Sequence, residues 1–421
     1  VNYSQSAYLH IPFCHRRCFY CNFAVVPLGD RADGETGPGS SSIKGYLNLL
    51  YRDISLAPKT GALSTVYIGG GTPSLLSAAQ IADLLDHLRF HFGIQYGAEI
   101  TLEIDPASFD KISLEGYIAA GINRVSLGAQ SFDNNVLYEL GRRHTFDQLI
   151  DSCNWINESF KEGRLFSWNL DLIQNLPNQN LASWSEQLVK AIDIYPPHLS
   201  IYDLSIEEGT VFAWKMNKGD LCLPNDEIAS DISKITSMKL KEAGYSRYEI
   251  SNFALPGHAS RHNRVYWSGA NWWGFGQGAT SCPWGERLSK PRTRNAYKKW
   301  LEIEESKVHK SSFKTIYKHK NIPLDDLLIV GLRRREGIDL YELLERFEYN
   351  NSQINFNISK LKQRWQYGLN MGWIKQRGFR FHLTDPDGMQ LSNQFLVDML
   401  LWLDSLTNSH SAEAPNLEGY Q

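Results

Sequence analysis

Two hydrophobic rhythms alternate along most of this chain. Short apolar, β-branched runs read as strands over 7–11, 65–68, 99–104, 124–127, 168–173 and 199–204. Between them, apolar residues recur every three or four positions and predict helices over 46–54, 113–120, 134–140, 146–160, 182–194 and 227–243. One helix is marked at both ends. Ser77 and Gln80 form a capping box, Ile81, Leu84, Leu85, Leu88 and Phe92 follow at helical spacing, and Gly93 stops it. Six β–α units in succession imply a parallel sheet, either an open doubly wound sheet or a barrel.

In either topology the chemistry gathers at the carboxyl ends of the strands. Those ends carry a cysteine-rich loop after the first strand, Gly69-Gly70-Gly71 after the second, and then Glu103, Gln130, Asp171 and Ser205. Each has a plain structural reading. The glycines can be only a turn, Glu103 and Asp105 can cap the next helix, and Gln130 and Asp171 can be satisfied loop groups. Their convergence on one rim is what favours a site.

From residue 248 the composition shifts to Trp, Gly and His. His262-Asn263-Arg264-Val265-Tyr266-Trp267 and Trp272-Trp273-Gly274-Phe275-Gly276 read as the lining of a flat pocket, with His262 as an axial iron ligand or, more plainly, a hydrogen-bonded loop histidine. Residues 302–321 are charged and read as a linker. Beyond it, helices over 324–332, 340–347 and 358–369, a hairpin over 373–383 around Gly378, and a last helix capped by Thr384 resemble a winged helix. The expected division is a core over 1–245, an extension over 246–305, a C-terminal domain over 306–405 and a polar tail over 406–421.

Composition changes this picture little. A length of 421 residues suits two or three domains, and a net charge of −3 gives no electrostatic case for nucleic acid, so Arg333-Arg334-Arg335 is read as a solvated face. No apolar run reaches the length of a membrane span, and the N-terminal residues lack a signal-peptide pattern, so a cytoplasmic protein is expected. Six cysteines in a chain of this kind suggest reduced thiols rather than disulfides.

The thiols carry the sharpest signal. Cys14-x3-Cys18-x2-Cys21 places three soft ligands close together, enough for three corners of an iron–sulfur cubane. Zinc would more often show a second cysteine pair, which does not follow here, and purely structural cysteines remain the third reading.

The spacing, with Tyr20 before the last cysteine, resembles the radical S-adenosylmethionine (SAM) superfamily. Tyr8-Leu9-His10-Ile11-Pro12-Phe13-Cys14, Gly69-Gly70-Gly71-Thr72-Pro73-Ser74, Leu102-Glu103-Ile104-Asp105-Pro106, Gly128-Ala129-Gln130-Ser131-Phe132 and Leu140-Gly141-Arg142 are similar to the oxygen-independent coproporphyrinogen III oxidase group, and nearly the whole chain is covered. Two features point to its heme-chaperone branch. The oxidases carry a further cysteine where this chain has Phe23, and the chaperone branch carries the His-Asn-x-x-Tyr-Trp motif found at residues 262–267. Asn175-Leu176-Pro177-Asn178-Gln179 stands where the family has Gly-Leu-Pro-x-Gln.

The resemblance implies a partial (β/α)6 radical SAM barrel followed by a smaller α+β, winged-helix-like domain. It implies a [4Fe–4S] cluster on Cys14, Cys18 and Cys21 with SAM on the fourth iron. Tyr8, Gly70 and Glu103 match positions contacting that SAM. Gly71, Thr72, Gln130, Arg142, Asp171 and Ser205 match positions around a second SAM in the oxidases. His262 matches the residue tied to heme. The implied activity is carriage of heme to acceptor hemoproteins, with transient contact with membrane-bound respiratory or photosynthetic acceptors. The alternative is an enzyme that decarboxylates coproporphyrinogen III to protoporphyrinogen IX.

Overall fold

The computed structural model describes residues 4–29, 39–310 and 322–411. Six parallel strands follow one another in chain order: β1 (Ser6–Ile11), β2 (Leu63–Gly70), β3 (Ile94–Ile104), β4 (Arg124–Gln130), β5 (Ser167–Gln174) and β6 (His198–Asp203). This order decides between the two topologies. A doubly wound sheet reverses direction partway across, whereas here each strand pairs with its predecessor. The sheet also curls, because Tyr67 on β2 and Tyr202 on β6 line the same cavity. The result is a partial barrel.

The connections are α1 (Ser40–Leu56), α2 (Ala78–His91), α3 (Lys111–Ala120), α4 (Asn134–Glu139), α5 (Phe146–Lys161), α6 (Leu181–Ile194), α7 (Val211–Asn217) and α8 (Asp226–Glu242). The capping box at the start of α2 is formed as expected: Ser77 Oγ accepts from the Gln80 N–H at 3.2 Å, and Gln80 Oε1 accepts from the Ser77 N–H at 3.0 Å. Alternate strand residues build two different environments. Val66, Ile68, Ile100, Leu102, Val125, Leu127, Leu170 and Leu172 are buried in one apolar core with Leu47, Leu50, Leu84 and Leu88 of the helices. Residues of the opposite parity (Thr65, Tyr67, Thr101, Glu103, Arg124, Ser126, Asn169, Asp171) are polar. The barrel therefore has a polar interior, which is what a site needs and a packed core avoids.

The expected pocket wall at 272–276 is instead an edge strand. β8 (Trp273–Phe275) pairs in parallel with β1, and β7 (Asn252–Ala254) pairs antiparallel with β6. A three-residue strand is too short for its alternation to show in sequence. The His262 region is helical, α9 (Arg261–Trp267), and 302–310 belongs to α10 (Arg294–Lys310) rather than to a linker. The rest of that expected linker lies outside the described residues, as do residues 412–421 of the expected tail.

A second compact unit comprises Arg247–Ile250, Trp267–Gly269 and the chain from Ile322. It contains α11 (Leu324–Leu332), α12 (Leu340–Arg346), α13 (Asn351–Arg364), α14 (Gln366–Asn370), α15 (Asp387–Gln390) and α16 (Ser392–Ser411), with strands β9 (Ile338–Asp339), β10 (Ile374–Arg377) and β11 (Arg380–Leu383). β11 lies between β9 and β10. Two expectations change here. The helix expected over 358–369 starts earlier, where Asn350 and Gln353 form a capping box, and breaks at Trp365. Thr384 is not a helix cap, because its hydroxyl donates to the Gly372 carbonyl at 2.9 Å.

Candidate functional site

At the carboxyl ends of β1–β6 lies a cavity of about 430 Å³. Cys14, Cys18 and Cys21 line it together with Tyr20, Gly70, Gly71, Thr72, Glu103, Gln130, Arg142, Asp171 and Ser205. Twelve residues expected from sequence thus line one cavity. Tyr8 and His262 are not among the lining residues.

The cysteine loop is held by the backbone around it. The Val26 N–H donates to the Pro12 carbonyl (2.6 Å), Leu28 to Cys14 (2.8 Å), Phe19 to Leu140 (3.0 Å) and Phe212 to Phe19 (3.0 Å). Arg16 Nε donates to the Gly141 carbonyl at 2.7 Å. The glycine turn is zipped to the same loop, with Gly71 N–H on the Ile11 carbonyl (2.8 Å) and Thr72 N–H on Phe13 (2.6 Å). Two glycines are required here. Gly70 has φ +119°, and a Cβ on it would stand 2.6 Å from His10 Nδ1; a Cβ on Gly71 would stand 2.5 Å from the Phe13 carbonyl oxygen and 2.9 Å from Cys14 Sγ.

The cavity floor is electrostatically unusual. Glu103 accepts from Tyr67 OH at 2.8 Å and from the Gly70 N–H at 2.9 Å. Burial nonetheless raises its pKa to about 7, and the nearby Asp171 charge adds to the rise. Asp171 is also raised, again by burial, against hydrogen bonds from Ser126 (2.9 Å) and Asn169 (2.7 Å). Asp105 goes the other way: burial pushes it up, but Arg142, His144 and the Ala107 N–H together outweigh that and hold it below the usual range. Arg142 donates to Asp105 and, at 2.7 Å, to the Gly128 carbonyl; its Nη1 lies 3.6 Å from Cys18 Sγ. Gln130 has φ +66°, a conformation uncommon outside glycine, at a bulge where β4 meets β5. Ser205 Oγ donates to Glu207 at 2.9 Å.

Tyr8 and His262 sit deeper in the barrel. His10 Nε2 lies 3.0 Å from the Ala24 carbonyl, which can only accept, so its Nδ1 accepts from Tyr8 OH at 3.0 Å. His262 is fully buried, with Nδ1 2.8 Å from Thr65 Oγ1 and Nε2 2.9 Å from Tyr266 OH. Sequence reasoning passed over Tyr67, Ser126 and Tyr202, which also line the cavity. The signal was available: polar residues at every second position of strands whose other positions are apolar. Asn175, standing in place of a family glycine, has φ +59°, which Asn tolerates better than most residues.

Comparison with known proteins agrees with this architecture. The Radical SAM superfamily profile matches residues 8–186. The chain is 37% identical to the heme chaperone HemW of Synechocystis over 95% of this chain and 97% of that one, and 31% identical to the HemW of Lactococcus lactis over 94% and 97%. The fold matches coproporphyrinogen III oxidase (HemN) of Escherichia coli with a TM-score of 0.74 at 22% identity, covering 94% of this chain and 90% of that one. The curled parallel sheet with three cysteines at its rim is that of a radical SAM protein. Within that superfamily, the chain belongs to the HemW heme chaperone family.

Radical SAM proteins carry a [4Fe–4S] cluster and SAM, and the residues present fit both. The donors at the loop are all soft thiols that line the cavity. Among the described residues no group of three or more His, Cys, Asp and Glu is placed to hold a single metal ion. A cubane instead needs thiolates spread over three separate irons. Burial pushes the Cys14 thiol up to about 12 and raises Cys21 as well, so an iron cation must supply the charge that makes them thiolates. The buried Arg142 Nε has no hydrogen-bond partner.

Proposed function

We propose that this chain is a heme carrier that binds heme and passes it to acceptor hemoproteins, using the radical SAM barrel as its frame. The observation that carries this reading is the end-to-end similarity to HemW proteins, at 37% identity over 95% of the chain for the Synechocystis protein. Phe23 supports it. That residue lines the cavity and is 57% exposed, where the oxidases place a further cysteine. The remaining described cysteines, Cys153, Cys222 and Cys282, do not line the cavity.

In this reading Cys14, Cys18 and Cys21 hold the cluster, which when bound supplies one-electron chemistry and an open iron for SAM. Glu103, held by Tyr67 and Gly70, accepts hydrogen bonds from the SAM amino or ribose groups, and its ionised form suits the sulfonium charge. Asp171 and Gln130 offer further polar contacts in the same cavity. Arg142, paired to Asp105, places a fixed positive charge beside the Cys18 sulfur.

The test is direct. The protein, purified without oxygen and reconstituted with iron and sulfide, is given heme, SAM and an apo-hemoprotein. Appearance of the holo-hemoprotein is expected. Conversion of coproporphyrinogen III to protoporphyrinogen IX under the same conditions would instead identify an enzyme.

A further inference from the structure

We propose that His262 is a positioning residue for the SAM-binding Glu103, acting from inside the barrel, and is not an axial ligand of heme. The inference rests on reading Glu103 as a SAM contact and goes beyond it, because it gives the His-Asn-x-x-Tyr-Trp motif a place in the SAM site.

The contacts run in one line. Glu99 on β3 is buried and anchors the motif: its carboxylate accepts from the His262 N–H at 2.9 Å, the Arg261 N–H at 3.0 Å and Ser260 Oγ at 3.2 Å. This fixes the backbone of His262. The ring is fixed in turn by Thr65 on one nitrogen and Tyr266 on the other. One face of the imidazole stacks on Tyr67, with ring centroids 5.2 Å apart and planes inclined by 28°. Tyr67 then donates its hydroxyl to Glu103. A displacement of the His262 ring reaches the Glu103 carboxylate through one stacked ring and one hydrogen bond.

The chemistry of the ring fits a strut. Burial lowers the His262 pKa to about 3, so the imidazole is neutral, with one N–H to give and one lone pair to accept. Thr65 and Tyr266 take both. An iron ligand would have to abandon one of them and leave a buried hydroxyl unpaired. It would also have to reach a ring with no exposed surface, enclosed by Thr65, Tyr67 and Tyr266. Tyr266 belongs to the same assembly. Its hydroxyl holds His262, and it lies close enough to Glu103 for that charge to raise its own pKa further, after burial. Tyr8 stacks on Tyr67 at 6.1 Å and closes the group.

The experiment uses the full-length, cluster-loaded protein and measures SAM affinity by equilibrium dialysis, iron content by chelation, and heme affinity by Soret titration. His262→Ala is expected to weaken SAM binding by about tenfold, and Tyr67→Phe by about fivefold, as for one lost hydrogen bond to a buried charge. His262→Gln, which can keep the Tyr266 partner, is expected to recover most of the affinity. Iron content and heme affinity should stay at wild-type values in all three. Loss of the Soret complex with SAM affinity unchanged in His262→Ala would overturn the proposal and make the histidine a heme ligand. If His262→Ala fails to fold, Tyr67→Phe and His262→Gln carry the test, and wild-type SAM affinity in Tyr67→Phe would overturn it. Glu103→Gln is the control. If that variant binds SAM as well as the wild type, the reading of Glu103 itself fails, and not merely the link to His262.

Discussion

Burial works against the ionisation of Glu103. Its pKa stands near 7, above the ordinary carboxylate range, so the folded state prefers the neutral form. The stability tied to that proton is present at low pH and is lost as pH rises from the unfolded value of about 4.5 through about 7. In SAM-free protein, Glu103→Gln is therefore expected to raise stability at pH 8 by on the order of 1–3 kcal/mol, read as a higher melting temperature, and to leave the melting temperature unchanged at pH 4. SAM affinity of the wild type should tighten between pH 6 and pH 8, and that slope should vanish in Glu103→Gln. The cysteines make a second expectation at this scale. Cys18→Ser should lose most of the cluster iron, measured by chelation, because the loop is tied by its backbone and has no fourth thiol on the cavity wall to substitute.

Among the elements, α1 shows how the barrel's edge is secured. Asp53 on α1 is buried and receives Lys290 Nζ at 2.6 Å, Tyr297 OH at 2.7 Å and the Gly276 N–H at 2.9 Å. Asp53→Leu leaves the Lys290 ammonium buried and unpaired, which is expected to cost roughly 3–5 kcal/mol in thermal or denaturant unfolding. Adding Lys290→Met should recover most of that loss, since a buried pair replaced by apolar groups is often neutral. The strands show where the sequence was readable. Gly70, Gly71 and Glu103 stood out because each falls at or next to a strand's carboxyl end, whereas Asp171 was matched through the family resemblance and lies within β5. Tyr67 and Ser126 did not, because they lie within strands and are recognisable only once the barrel interior is known to be polar. β8 was missed because three residues carry no period. His262 was legible as a motif but not as a contact: its partners Thr65 and Glu99 are 197 and 163 residues away in the chain.

For the whole molecule, the cysteine spacing names the cofactor and leaves the task open. No helix among the described residues is long and apolar enough to cross a membrane. The same fold serves a HemN oxidase and, by family, a HemW chaperone, and fold alone does not separate carrier from enzyme. Phe23, at the cavity, is the residue that favours the carrier. The most direct measurement is heme transfer under anaerobic conditions: reconstituted protein loaded with heme and SAM, mixed with an apo-hemoprotein, and followed by the Soret spectrum of the acceptor. The acceptor is expected to fill and coproporphyrinogen III, offered in parallel, to remain unconverted. An acceptor that stays empty while protoporphyrinogen IX accumulates would contradict it.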